Sequence, residues 1–336
     1  MTHDATKSWS AGELQALIHG YQGAAVLAAA AELDLFSSLD GEPRTAPDLA
    51  KRLRCDLRGL AILLDGLAAL QLLQKQGGCY ALSPGVADVF THRGARTSLA
   101  MAQHQANCLR RWAQLARVVK TGRPAKRSAS VRGAAGDQQS FIAAMDNTSA
   151  PVADAVVRRV QPLEFRQLLD IGGASGTWTI AFLRACPSAS AILFDLPPVI
   201  PMADERLTAA GLRDRVQLAP GDFMADPLPA GADLAWVSAI VHQNTREQNR
   251  ALFAKVHTAL APGGRIAIRD MLMDETRTHP PAGALFAVNM LVSTQGGGTF
   301  TFAELREDLQ AAGFCAASVL YRDEAMSSIV VAGKAG

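Results

Sequence analysis

Acidic side chains, a histidine and a glycine cluster stand at the ends of apolar runs in the second half of the sequence. Asp170 lies in the run Leu168-Leu169-Asp170-Ile171 and is followed by Gly172, Gly173 and Gly176. An apolar strand end, a glycine turn and the amphipathic run 177–185 predict strand, turn and helix, a layout that cradles a ligand. Glycines without a Cβ let a ligand lie against bare backbone, and the first amides of the helix have no partner inside it. A carboxylate at this place repels a diphosphate and attracts an ammonium group or a ribose. Ala174 occupies the second glycine position of the G-x-G-x-x-G fingerprint, so the dinucleotide pattern fails.

Further strands place more polar groups nearby. Residues 191–196, Ala-Ile-Leu-Phe-Asp-Leu, end in Asp195 and Leu196, about twenty residues past the loop, where a second strand's tip reaches ribose hydroxyls. Residues 216–219 run into Gly221, Asp222 and Phe223, and residues 233–241 run into His242. Three consecutive strands therefore end in polar side chains at one edge, and in an open α/β sheet that edge is the ligand crevice. The Pro262-Gly263-Gly264 turn leads into residues 265–269, a strand that ends at Asp270.

Strand and helix alternate through this half, which predicts a doubly wound, mostly parallel sheet. Thr245 caps a helix over 246–260, an inserted helix covers 280–294, and Thr301 with Glu304 forms a capping box for a helix over 301–312. Residues 316–321 and 327–332 make a final strand pair.

The motifs Asp170-Ile-Gly-Gly-Ala-Ser-Gly, Phe194-Asp-Leu-Pro, Gly221-Asp-Phe, the His242 segment and Pro262-Gly-Gly-Arg-Ile resemble, in order and spacing, those of S-adenosylmethionine-dependent small-molecule O-methyltransferases. These are the caffeate and hydroxyindole type and their bacterial natural-product relatives, and the likeness covers nearly the whole chain. It implies a seven-stranded Rossmann-like methyltransferase sheet and S-adenosyl-L-methionine as cofactor. The implied cofactor residues are Asp170, Gly172, Gly173, Gly176, Asp195, Leu196, Gly221, Asp222, Phe223 and Ser238.

Methyl transfer from a sulfonium needs nucleophile and methyl held together in a dry site. A phenol or enol becomes a good nucleophile once its proton goes, and a histidine titrates in the useful range. The resemblance makes His242 that base and Asp270 the acid that orients it. It also places Met145, in the segment Phe141-Ile-Ala-Ala-Met145, near the reacting methyl and a flat acceptor, a setting suited to a thioether. Asn289 and Met290 of the inserted helix, with Phe141 and Met145, suggest an apolar, planar acceptor pocket.

The sequence departs from the family in three places. His-Asp-Trp becomes His242-Gln243-Asn244, Ser238 stands where plant members carry Lys or Arg near the cofactor, and Thr299 replaces a glutamate that flanks the histidine. A variant of the fold holds a metal through a His-Asp pair and a later histidine. The aligned residues here are His242, Gln243 and Gln295, and amides are poor ligands for such a metal, so none is expected.

The first half reads as a winged helix. Leu14, Leu17, Ile18, Tyr21, Ala25 and Ala28 share a helical face closed by Leu33, Leu35 and Phe36. Thr45, Pro47 and Asp48 carry helix-start chemistry, a second helix covers 57–70, and two strands flank Gly77-Gly78. The second helix, Leu57-Arg-Gly-Leu-Ala-Ile-Leu-Leu-Asp-Gly-Leu-Ala-Ala-Leu, is almost wholly apolar and offers bases only Arg58, against a DNA reader. So apolar a helix needs more cover than one small domain gives, and a partner chain is expected. In the resembling family this unit is a dimerisation domain whose amino-terminal residue closes the partner's pocket; Tyr21 is a contributor to weigh against plain core.

Residues 97–119 continue as helix, residues 120–137 read as a mobile surface loop, and helix resumes at Gln138. The expected division is therefore 1–96, a winged-helix dimerisation domain; 97–160, a helical linker and substrate-pocket region; and 161–336, the cofactor-binding catalytic domain.

Within 336 residues, 33 Lys and Arg nearly balance 31 Asp and Glu, giving a formal charge of +2. That balance favours neither a polyanion nor a membrane surface as partner. No apolar run reaches transmembrane length, residues 1–7 lack a signal-peptide layout, and five scattered cysteines suit reduced thiols in a cytoplasm. The expectation is a cytoplasmic homodimer that O-methylates an aromatic or related secondary metabolite. C- or N-methylation on the same scaffold is the alternative, and a ligand-sensing winged-helix regulator is a second, of another class.

Overall fold

The computed structural model describes residues 7–94, 96–160 and 164–336. Residues 1–6, most of the segment read above for a signal peptide, and residues 161–163, the expected start of the third domain, lie outside the described residues. The chain divides into two units, Met1–Arg110 with Arg127–Asn147, and Arg111–Lys126 with Thr148–Gly336.

The first unit carries α1 (Ala11–His19), α2 (Tyr21–Glu32), α3 (Leu35–Ser38), β1 (Arg44–Thr45), α4 (Ala46–Leu53), α5 (Leu57–Ala69), β2 (Leu73–Gln76), β3 (Cys79–Leu82), α6 (Val86–Phe90) and most of α7 (Leu99–Trp112). Thr45 Oγ1 accepts from the Asp48 amide at the start of α4, and β2 and β3 pair antiparallel around Gly77 and Gly78. The helices and hairpin of a winged helix are therefore present. Leu35, Phe36, Leu49, Leu64 and Leu67 fill its centre with no exposed surface.

The amino-terminal apolar face is not core, however. Gly20 ends α1, and Leu17, Ile18 and Tyr21 remain 66%, 62% and 60% exposed. Leu57 and Ile62 of α5 are likewise exposed. Periodicity marks such a face as one to be covered, but among the described residues nothing of its own unit covers it.

The helical stretch 97–160 contributes to both units. After α7 come α8 (Leu115–Thr121) and α9 (Gly133–Arg159), which starts five residues before the expected Gln138 and belongs to the first unit up to Asn147. The segment after α8 is not a free connector. Its Ala125 N–H donates to Val292 O at 3.0 Å, and Arg117 Nη2 donates to Pro124 O at 2.8 Å.

In the second unit β4 (Gln167–Ile171), α10 (Thr177–Ala185), β5 (Ser190–Asp195), α11 (Ile200–Ala209), β6 (Val216–Pro220), β7 (Leu234–Ser238), α12 (Arg246–Ala259) and β8 (Arg265–Asp270) alternate as expected. A short parallel pair, β9 (Leu272–Met273) and β10 (Phe300–Thr301), brackets α13 (Pro281–Ser293); α14 (Phe302–Ala311), β11 (Cys315–Tyr321) and β12 (Ser328–Gly333) follow. The seven-stranded sheet has the order β11-β12-β8-β7-β4-β5-β6, and only β12 runs against the others. Strand order reverses between β4 and β7, the switch point where such sheets bind ligands. Phe253 and Val256 of α12 with Leu309 of α14 cover one sheet face, while Phe182 of α10 and Val157 of α9 cover the other. Each such side chain, fully buried, contributes about 1.5–3 kcal/mol.

Candidate active site

The glycine loop is built by its neighbours. Gly172 donates its N–H to Phe194 O at 2.8 Å, Ala174 donates to Asp195 Oδ2 at 2.7 Å, and Gly176 donates to Gly173 O at 2.8 Å. Gly172 and Gly176 sit at φ 66° and 79°, where only glycine is unstrained. A Cβ on Gly172 would stand 2.7 Å from Ile240 Cδ1, one on Gly173 would stand 2.6 Å from Leu193 Cγ, and one on Gly221 would stand 2.5 Å from Phe194 Cζ. Protein side chains, not ligand space, therefore fill the places these glycines leave empty. The expectation that the bare backbone opens room for a ligand is corrected to this extent: the glycines let the loop settle onto the tip of β5.

Asp170 lies beneath that loop at 1% exposure, with Thr179 Oγ1 donating to its Oδ2 at 2.7 Å. Burial, with the nearby charge of Asp195 added, pushes its carboxyl up to about 7. Asp195 is the more accessible acid. Its two oxygens accept from the Ala174 and Leu196 amides, each at 2.7 Å, and partial burial raises its pKa. Leu196, one residue past β5, is 47% exposed beside it.

At the next tip Asp222 Oδ1 accepts the Met224 amide at 2.8 Å, and Phe223 packs on the core close to Gly172. Lys255 of α12 holds this loop. Its Nζ donates to Phe223 O, Met224 O and Asp226 O at 3.1, 2.8 and 3.0 Å, so all three ammonium protons have partners.

Ser238 ends β7 and is paired in register with Arg269 of β8, whose Nη1 donates to Ser238 Oγ at 3.2 Å. A cation thus stands beside the position where the family's Lys or Arg is missing. Arg269 is 2% exposed, lies over the Trp178 ring at 4.6 Å and is pushed down to about 10 by burial.

His242 is not at the strand tip itself. Ala239, at φ 57°, turns the chain out of the sheet while its N–H donates to Arg269 O, and His242 follows in a short 3-10 turn, Val241–Gln243. Asp270 closes the adjacent β8. Its Oδ1 is 2.8 Å from His242 Nδ1 and its Oδ2 accepts the His242 amide at 3.2 Å. Both side chains are buried, and the Phe286 ring of α13 meets the imidazole edge-on at 4.8 Å. A carboxylate cannot donate, so Nδ1 carries the proton and Nε2 keeps a lone pair.

The backbone around His242 is fixed from both sides. Asn249 Nδ2 donates to Val241 O and Asn249 Oδ1 accepts from Asn244 Nδ2, while the Gly298 amide donates to His242 O at 2.9 Å. A Cβ on Gly297 would lie 2.4 Å from that same oxygen. Thr299 is buried and its carbonyl accepts from Arg277, so it offers no acid to the imidazole.

Asn289 and Met290 lie on α13 in this unit, Met290 buried and Asn289 partly so, with Asn289 Oδ1 accepting from Trp112 Nε1 at 3.0 Å. Phe141 and Met145 belong to the first unit; Phe141 is 44% exposed and packs against the His104 ring at 5.2 Å. Sequence reasoning missed Lys255, Phe286, Trp112 and Arg269. Only Arg269 carried a signal, as a charge inside an otherwise buried apolar strand.

Residues 112–315 match the O-methyltransferase domain, and residues 15–93 match the O-methyltransferase dimerisation domain. This chain belongs to the O-methyltransferase family. Family membership is borne out by several relatives. The tetracenomycin polyketide synthesis 8-O-methyl transferase of Streptomyces glaucescens is 32% identical over 90% of this chain and 91% of its own length. A 3-hydroxy-5-methyl-1-naphthoate 3-O-methyltransferase of Streptomyces sahachiroi is 34% identical over 85% and 84%. An N,N-dimethyltransferase of Streptomyces rimosus is 31% identical over 90% of each. Human N-acetylserotonin methyltransferase, solved in complex with S-adenosylmethionine, shares the fold at a TM-score of 0.82 and 24% identity, with 99% of both chains covered. The O-methyltransferase is thus a methyltransferase enzyme with a doubly wound catalytic sheet and an amino-terminal dimerisation domain.

Proposed function

We propose that this O-methyltransferase moves the methyl group of S-adenosyl-L-methionine onto a hydroxyl of an aromatic or related small secondary metabolite, with His242 as general base. The observation that carries the reading is the buried His242–Asp270 pair at 2.8 Å. It presents Nε2 as a base and gives the resulting imidazolium an anionic neighbour.

The donor set of the chain fits the cofactor. Asp195 is held by two amides and still has lone pairs for a diol such as that of ribose. Asp195, the more accessible of the two acids, makes this edge of the sheet acidic, a setting that attracts a sulfonium, with Asp170 buried beneath the loop. Phe223 and Leu196 supply apolar surface for a purine, and Gly172, Gly173, Gly176 and Gly221 allow the strand tips that carry these groups to close together. Asp222 and Ser238 complete the seat at the neighbouring tips. When bound, S-adenosylmethionine supplies the electrophilic methyl group.

The residues of this chain do the rest. His242 Nε2 takes the acceptor's proton, Asp270 keeps the imidazole in its tautomer, and Phe286 shields the pair from water. Asn289 and Met290 contact the acceptor. The exposed apolar face of α1 and α2 supports a homodimer, with Tyr21 on that face. Five cysteines scattered along the sequence support a cytoplasmic setting.

The test is H242N, which removes the base while keeping a ring-sized polar group. Turnover, followed by mass detection of the methylated product, falls on the order of a hundredfold or more, while calorimetric binding of S-adenosylmethionine stays within about twofold. Undiminished turnover excludes His242 as base. A product methylated on nitrogen or carbon replaces the oxygen assignment.

A further inference from the structure

A hydrogen bond within the second unit fixes the sense of one amide and, with it, the kind of acceptor. Trp112 Nε1 lies 3.0 Å from Asn289 Oδ1. An indole N–H can only donate, so the amide must turn its oxygen toward Trp112 and its NH2 away. The orientation of this asparagine is therefore set by its neighbour's chemistry.

Trp112 is itself anchored. With Leu115 it packs on Val118, Ala125 and Val292, and the Ala125 N–H to Val292 O bond ties the same segment to α13. On α13, Phe286, Asn289 and Met290 stand at i, i+3 and i+4 and share one face, with Cβ atoms of such neighbours about 5–6 Å apart. Phe286 meets the His242 ring edge-on, so Asn289 lies one turn along the helix from the base. Asn289 is only partly buried, and no described residue accepts a hydrogen bond from its NH2. A pair of donors with no partner among the described residues therefore stands one helical turn from the ring that packs on His242.

We infer that Trp112 is a positioning residue that locks Asn289 as a donor, so that the acceptor is a hydroxylated aromatic carrying a second oxygen that can only accept, a ring carbonyl or acyl group. This rests on the acceptor site proposed above. A second hydroxyl could rotate to accept, but an amino group could not, because its protons would face those of the amide. The expected selectivity is for ketone over amine at the same ring position.

The probes are regioisomeric acetyl-naphthols and the matching amino-naphthols, with dissociation constants measured by calorimetry on the full chain saturated with S-adenosylhomocysteine. In the wild type at least one acetyl compound binds about tenfold or more tightly than its amino counterpart, the worth of one hydrogen bond with its unpaired alternative. W112F frees the amide to turn, and the ratio falls toward unity. N289D keeps an acceptor for the indole and presents a carboxylate oxygen, and the preference reverses. Circular dichroism and thermal melting establish that both variants are folded, and N289D carries the test should W112F fail to fold.

Absence of an acetyl preference in the wild type, including failure of all acetyl compounds to bind, overturns the proposal. So does a ratio that W112F and N289D leave unchanged. H242N, measured on the same pairs, separates the two readings, since it alters turnover without altering the acetyl-to-amino binding ratio.

Discussion

Asp170 and Asp195, two carboxylates on neighbouring strands, meet opposite environments. Asp195 keeps contact with solvent and two amides, whereas Asp170 is sealed under the glycine loop with the hydroxyl and amide of Thr179 as its donors. Its folded-state value of about 7 exceeds the ordinary 3.8, so the folded chain holds a proton there that the unfolded chain has lost. The contribution of this proton to stability is complete below about pH 4, declines as pH rises, and is gone above about pH 7. D170N cannot ionise and escapes that decline. Thermal melts are expected to show the variant gaining on the wild type between pH 5 and pH 8, and a constant difference would refute the assignment. Single residues were legible in proportion to their chemistry. Strand-end acids and His242 announce themselves, while Trp112 and Phe286 read as ordinary apolar positions because their importance lies in what the fold sets beside them.

Helices and strands were legible from period and caps, their ends less so. Run 177–185 and α10 coincide, as do the Thr245 cap and the Thr301 capping box with their helix starts, because each depends on local hydrogen bonds. The strand drawn up to His242 stops at Ser238 instead, since an alanine in a left-handed conformation gives no sign in an apolar run. The 120–137 segment looked unattached because its anchor, Val292, lies far away in sequence. Lys255 is another such long-range tie, joining α12 to the loop that presents Asp222 and Phe223. Replacing it in K255M removes charge-assisted bonds to three carbonyls, and the KM for S-adenosylmethionine rises about tenfold with kcat little changed. A fall in kcat with KM preserved would mean that the loop serves the chemical step instead.

On the scale of the molecule, the apolar surface of α1, α2 and α5 was visible in the sequence as periodicity, but periodicity does not say which chain provides the cover. Matching of residues 15–93 to a dimerisation domain supplies that answer. An aspartate at Ile18, 62% exposed in the single chain, would be forced into an apolar interface. I18D is expected to run as a monomer in light scattering at micromolar concentration, where the wild type runs as a dimer; a dimer in both would move the interface elsewhere. No described helix is long and apolar enough to cross a membrane.

The helix α12 begins four residues after His242 and carries Lys255 nine residues further on, roughly 14 Å along its axis. A single rod therefore bears both the turn that carries His242, through its capped start, and the Lys255 clamp on the loop of Asp222 and Phe223. A change that loosens the capped start of that rod would be felt at both places at once.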